Sequence, residues 1–220
     1  MKEDVPSQAE RRRTRRRTVI DIARRRQRPG AGTAGAVLSL RSVRMRWPDL
    51  TDVLGRLPWA VVGAAATRLY MPERSTHDLD MAVLAKDGKA ARERLRTASY
   101  QFQGDLAIGG SSWAAPDGTP VDVIEGREQW WPKALARAAT NRDAQGLPVL
   151  TLPYVVLSKL LAGHVQDIAD AARMLGQADE TSLQEVRRVI GELQAVLLED
   201  LESLISLGKL EAGDESSDRS

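Results

Sequence analysis

The segment Arg74–Leu84, "RSTHDLDMAVL", constrains the fold of this chain more than any other stretch. It has the apolar character of a strand, yet it carries aspartates at 78 and 80. Side chains along a strand alternate between faces, so residues two apart share one and the two carboxylates are expected side by side. Like charges so placed repel, and a divalent cation is the expected compensation. About 15 residues earlier, "WAVVGAAATRLY" reads as a buried strand, Trp59 to Val62, that turns at Gly63 into a helix. Such a helix start offers unpaired N–H groups and the positive end of a helix dipole to a phosphate. A third aspartate, Asp122 in "VDVI", sits in another apolar strand and joins the pair if the strands are neighbours. Three carboxylates beside a phosphate cradle suit two magnesium ions and a nucleoside triphosphate.

With 220 residues and 42% hydrophobic side chains, the chain can bury the core of one domain with a helical annex. It has no cysteine, which excludes disulfide scaffolds and thiolate metal sites. His77 and His164 are its two histidines, and neither has a second at ligand spacing, so zinc is not expected. No apolar run approaches the roughly 20 residues that span a bilayer, and no secretory signal pattern follows the basic N-terminus. A cytoplasmic protein without membrane contact is the expectation. The net charge of +2 hides an asymmetry, because residues 1–28 hold 11 of the 32 Lys and Arg but 4 of the 30 Asp and Glu.

Residues 1–44 read as a basic, disordered arm, "RRRTRRRTVIDIARRRQRPGAGTAG", of the kind that either stays solvated or contacts nucleic acid. Its "GAGTAG" matches G-x-G-x-x-G in form but follows Arg-Pro where a dinucleotide fingerprint requires a strand. Residues 45–150 read as an α/β domain. A short helix lies in "MRWPDLTDVLGRL", an amphipathic helix in "GKAARERLRTASYQ", and two short runs flank the turn "PDGT", the second being Val121 to Ile124. A helix containing Trp130 and Trp131 follows, the tryptophan pair reading as packing, and then a short strand "PVL". Residues 151–208 read as helical: about Tyr154 to Ala162, near Asp167 to Leu175, and one long helix from Ser182 to Leu207 with an apolar stripe that must be covered. Residues 209–220 read as a disordered acidic tail. Asp167 and Asp170, three apart, share a helical face and read as capping or solvating its start.

Together, "VVGAAATRLYMPERSTHDLDMAVL", "GTPVDVIEG" and "LTLPYVVLSKLLAGHVQDIADAARML" resemble the nucleotidyltransferase superfamily, and within it the AbiEii-like toxin group of bacterial toxin-antitoxin systems, over roughly residues 47–176. The resemblance implies a nucleotidyltransferase fold of α/β (α+β) class, a mixed β-sheet flanked by helices, followed by a helical C-terminal part. It implies Mg²⁺-dependent transfer of a nucleoside monophosphate from an NTP to an acceptor hydroxyl. In the toxin group the acceptor is RNA, such as the end of a tRNA, and the partner is a cognate antitoxin. Asp78 and Asp80 match the paired metal ligands, and Asp122 matches the third carboxylate, which serves as metal ligand or base. Gly63 matches the phosphate-loop glycine. Ala64 stands where a second Gly or a Ser is usual, keeping the backbone donor without a hydroxyl. Arg74 and Thr76 match the R-x-T before the metal pair, Lys159 a helical lysine that contacts the triphosphate, and Asp167 with Asp170 the acidic pair downstream. His164 stands where arginine is frequent. Transfer to an antibiotic or a protein side chain, or a non-catalytic nucleic-acid-binding homologue, are the alternative readings.

Overall fold

The computed structural model describes residues 7–26, 46–71 and 76–213. Among these, 46–151 form one compact unit, and 7–26 with 152–213 form another. The helices are α1 (Gln8–Arg26), α2 (Thr51–Leu54), α3 (Gly63–Thr67), α4 (Gly88–Thr97), α5 (Trp131–Ala138), α6 (Leu152–Ala162), α7 (Val165–Gln177), α8 (Glu180–Gln194) and α9 (Leu198–Ala212). The strands are β1 (Trp59–Val61), β2 (Leu79–Leu84), β3 (Gln101–Asp105), β4 (Gly110–Ala114) and β5 (Pro120–Gly126). The chain thus has a mixed α/β architecture: a five-stranded sheet flanked by helices, and a helical C-terminal region.

The sheet order is β1-β2-β5-β4-β3, with β2 and β5 parallel and every other pair antiparallel. The apolar run of β2 suits an inner strand covered on both faces, and Leu79, Met81, Ala82 and Val83 are all fully buried. Residues Glu125 and Gly126 show which helix lies on which face. A Cβ on Gly88, the first residue of α4, would meet the Glu125 carboxylate, whereas one on Gly126 would meet the Trp131 ring at the start of α5. Neighbours in a strand point to opposite faces, so α4 and α5 lie on opposite sides of the sheet.

Strand β3 is a departure from expectation, since its sequence "QFQGD" lacks apolar alternation and Gln101 reads as the end of the preceding helix. It forms an exposed edge strand, with an irregularity between Phe102 and Gly104 and the Phe102 ring set edge-on to Trp113 at 5.3 Å. The "PVL" segment is not a full strand. Val149 makes a single parallel bridge to Val61, held by Asn141, whose Nδ2 donates to the Val149 carbonyl at 2.8 Å. Tyr70 Oη donates to the Leu150 carbonyl at 2.9 Å.

In the helical unit the expected single helix over 182–207 is two. Gln194 takes φ −152° and ψ 61°, a 3₁₀ turn covers Ala195–Leu197, and α9 runs back along α8. Arg187 pairs with Glu202 at 2.7 Å and Glu180 with Lys209 at 3.9 Å, the pattern of antiparallel partners. A single straight helix of that length would extend about 39 Å, past the helices its apolar stripe has to cover; the reversal lets both halves bury it. Helices α7 and α9 touch through Gly176 and Gly208, where a Cβ on Gly208 would stand 1.9 Å from the Ala172 carbonyl oxygen. Helix α9 continues to Ala212, beyond the expected limit at 208, and ends at Gly213 in the left-handed conformation (φ 77°).

Residues 8–26, expected disordered, form α1. Arg16 is buried against Asp200, with Nε to Oδ2 at 2.6 Å, and its Nη1 donates to the Leu160 carbonyl at 3.0 Å, while Ile20 is buried one turn on. The remaining part of the arm, including "GAGTAG", and the tail after Gly213 lie outside the described residues.

Candidate active site on the parallel strand pair

The parallel pairing of β2 with β5 sets Asp80 in register with Asp122. Register partners on adjacent strands point to the same face and their backbones stand about 4.8 Å apart, so the two carboxylates rise side by side. Both are half-buried. The face is the one on which Gly126 meets Trp131, because Asp122, Ile124 and Gly126 alternate along β5.

The glycine bend lies directly against this pair. Val62 N–H donates to the Asp80 carbonyl at 2.9 Å, closing the ladder, after which Gly63 takes φ +58° and opens α3. A Cβ at Gly63 would fall 2.0 Å from Asp80 Oδ2, so both the conformation and the space demand glycine. The Ala64 amide donates to the same Oδ2 at 3.3 Å. The backbone donor expected at residue 64 is therefore present, and it is engaged by Asp80.

Asp78 stands one residue before β2, where the Thr76 hydroxyl donates to its Oδ1. Arg74 lies outside the described residues. Among the described residues no three acidic or histidine side chains gather into a metal cluster. The donor set nonetheless suits magnesium. Mg²⁺ takes oxygen ligands, often only one or two carboxylates completed by water and substrate phosphates, and Asp80 with Asp122 supply hard oxygens on one face.

Ser112 is a site residue that the sequence reading missed. On β4 it is the register partner of Asp122, so the row across the sheet runs Asp80, Asp122, Ser112. Its neighbour Ser111 points the other way, buried, and accepts a hydrogen bond from Trp113 Nε1 at 2.8 Å. The signal was present in the hairpin. The turn closes with Ala115 N–H on the Thr119 carbonyl at 2.8 Å, and counting back from "PDGT" places residue 112 opposite 122.

Lys159 belongs to the helical unit. It is buried, and its Nζ donates to Asp167 Oδ1 at 3.0 Å and Asp170 Oδ2 at 2.9 Å. Gln166 Nε2 donates to the other Asp170 oxygen at 2.8 Å, and the exposed His164 Nδ1 lies 2.9 Å from Asp167 Oδ2. Asp167 and Asp170 thus do more than solvate a helix start; they neutralise a lysine from α6. Trp130 and Trp131 stack at 4.2 Å, Trp131 Nε1 donates to Glu128 at 2.7 Å, and the ring seats on Gly126, a packing role.

No protein-family model matches the chain, and a search of curated proteins finds no match. Among solved structures it is similar to the antibiotic-resistance factor ANT(2″)-Ia in complex with adenylyl-2″-tobramycin, at 14% identity and TM-score 0.41, covering 79% of this chain and 94% of that one. It is also similar to a solution structure of ANT(2″)-Ia, at 15% identity and TM-score 0.39, covering 81% and 92%. The Thermotoga maritima CCA-adding enzyme complexed with tRNA is similar at 13% identity and TM-score 0.31, with 80% of this chain spanning 54% of that one. Likenesses this distant carry no functional weight beside the residues themselves.

Proposed function

We propose that this protein is a magnesium-dependent nucleotidyltransferase that moves a nucleoside monophosphate from an NTP to an acceptor hydroxyl. The observation that supports it is the register of Asp80 with Asp122 beside the Gly63 bend. Asp78, Asp80 and Asp122 would hold two Mg²⁺ ions, which, when bound, supply charge neutralisation of the triphosphate and the leaving pyrophosphate. The Ala64 N–H, which donates to Asp80 Oδ2 at 3.3 Å, would be the backbone donor available to a phosphate oxygen if Asp80 held a metal instead. Thr76 holds Asp78 in place, and the resemblance assigns Arg74 to the phosphates.

Asp122 accepts the proton of the acceptor hydroxyl. The oxygen bonds to the α-phosphorus, the bond to the bridging oxygen breaks, and pyrophosphate departs with that electron pair. Gly63 and α3 occupy the β1 side of the carboxylates, so the acceptor approaches over β5 and β4, where Ser112 lines its path. Lys159 is enclosed by two carboxylates and joins α6 to α7, and we read it as structural where the resemblance implies a triphosphate contact.

The acceptor we favour is RNA, such as a tRNA end, with the protein acting as the toxin of a toxin-antitoxin pair and a small antitoxin as its partner; this rests on the resemblance of the quoted motifs to the AbiEii-like group. Incubating the purified protein with each α-labelled NTP, Mg²⁺ and either total tRNA or an aminoglycoside tests it. Label on tRNA supports the reading, label on the aminoglycoside moves the acceptor to an antibiotic, and no transfer from any of the four NTPs assigns the chain to non-catalytic homologues. Toxicity on expression, relieved by Asp80→Ala, tests the toxin role.

A further inference from the structure

We propose that α1, in the helical unit, is a docking helix for the phosphate backbone of RNA, an interaction surface independent of whether the carboxylate site of the sheet unit is catalytic. Helix Gln8–Arg26 carries nine arginines and two acids. Like charges three and four apart repel along an isolated helix, so this segment needs tertiary contacts to fold. It has them. Arg16 and Asp200 are each about 5% exposed and joined at 2.6 Å, Arg17 pairs with Glu199, and Ile20 is buried. Glu199 and Asp200 lie in the first turn of α9, where the helix dipole favours negative charge and where they meet the arginines.

Docking through Arg16 and Ile20 fixes what remains outside. Arg12, Arg13, Arg15, Arg24 and Arg25 are exposed, with Thr14 and Thr18 among them. Of the two acids, Glu10 accepts a hydrogen bond from Ser7 N–H at 2.7 Å at the start of the helix, leaving Asp21 as the acid along this surface. From Arg12 to Arg25 the helix rises about 20 Å, comparable to some six nucleotide steps of a stacked strand at about 3.4 Å each. Guanidinium forks match phosphate oxygens. A membrane surface is disfavoured, because an interfacial helix presents its apolar face to lipid whereas here Ile20 faces protein and Ile22, 48% exposed, is the large apolar residue left outward.

The test uses the full chain without nucleotide, so it reads binding whatever the carboxylate site does. Fluorescence anisotropy follows a labelled single-stranded 20-mer RNA across a salt series, for the wild type and for Arg12→Gln/Arg13→Gln/Arg15→Gln. All three residues are exposed, and far-UV circular dichroism checks that the helix persists. The expected result is a loss of about tenfold or more in affinity at low salt, and a log–log salt slope shallower by about 2, from three contacts at about 0.7 each. Asp200→Asn, which releases the anchor while keeping every arginine, is expected to weaken RNA binding as well. Unchanged affinity and slope in the triple variant would overturn the proposal. So would poly-glutamate or phosphatidylserine vesicles competing as effectively as RNA, which would assign the helix to an acidic protein or a lipid surface.

Discussion

At Gly63 the backbone enters the left-handed region and its Cα lies against Asp80, so one residue couples the bend to the carboxylate. Gly63→Ala is expected to cost about 1–3 kcal/mol for the strained backbone alone, plus displacement of Asp80; Gly63→Ala/Asp80→Ala should recover part of that loss in chemical denaturation, because the clash partner is shortened. Equal stability of the single variant and wild type would count against the close approach. Asp78 and Asp80 were legible as a pair, with Asp122 joining them if its strand was a neighbour; the structure supplies the register that sets Asp80 beside Asp122, while Asp78 stands one residue before the strand. Ser112 was legible only after the hairpin had been counted out. Lys159 was visible as a helical lysine, but its enclosure by Asp167 and Asp170 depends on how α6 meets α7, which no local pattern encodes. Lys159→Met should therefore destabilise by about 3–5 kcal/mol, the cost of leaving the buried Asp170 carboxylate without its cation, as read from urea unfolding. Nucleotide affinity lost without any change in stability would restore Lys159 to the phosphate site.

At the scale of elements, the strands that carry apolar runs and the helices with clear periodicity were readable, and β3 and the α8–α9 reversal were not. The edge strand is polar because residues on both of its faces and one edge meet water. The reversal lies in "AVL", which has neither Gly nor Pro and continues the apolar stripe, so tertiary packing alone selects it. Gly208→Ala tests the α7–α9 contact: with its Cβ driven into the Ala172 carbonyl, overpacking of about 1–3 kcal/mol is expected, measured as a fall in denaturation midpoint. The start of α8 gives a pH signature. Asp179 caps it by accepting from Ser182 N–H at 2.7 Å, and this bond to the charged form lowers its pKa. A depressed folded pKa stabilises above the unfolded value, about 3.9, and that contribution is lost as pH falls through the lower folded value. Thermal melts of Asp179→Asn should show a weaker acid dependence in that interval than the wild type; an identical profile would contradict the cap.

On the scale of the whole molecule, the charge asymmetry visible in composition acquires a physical location. The basic segment belongs with the C-terminal helices, tied by Arg16 to a carboxylate 184 positions away, a partner that no reading of the arm by itself reveals. That distance is why charge blocks suggested a solvated tail where a docked helix stands. The sheet unit meanwhile sets two carboxylates, Asp80 and Asp122, on one face of a parallel strand pair, and the functional account depends on that pairing. Its most direct measurement is transfer of label from an α-labelled NTP to total tRNA in Mg²⁺ by the wild type, Asp80→Asn and Asp122→Asn, with folding of each checked by thermal melting. The account predicts labelled tRNA with the wild type and a loss of at least about a hundredfold in either folded variant. Undiminished labelling by both variants would contradict it.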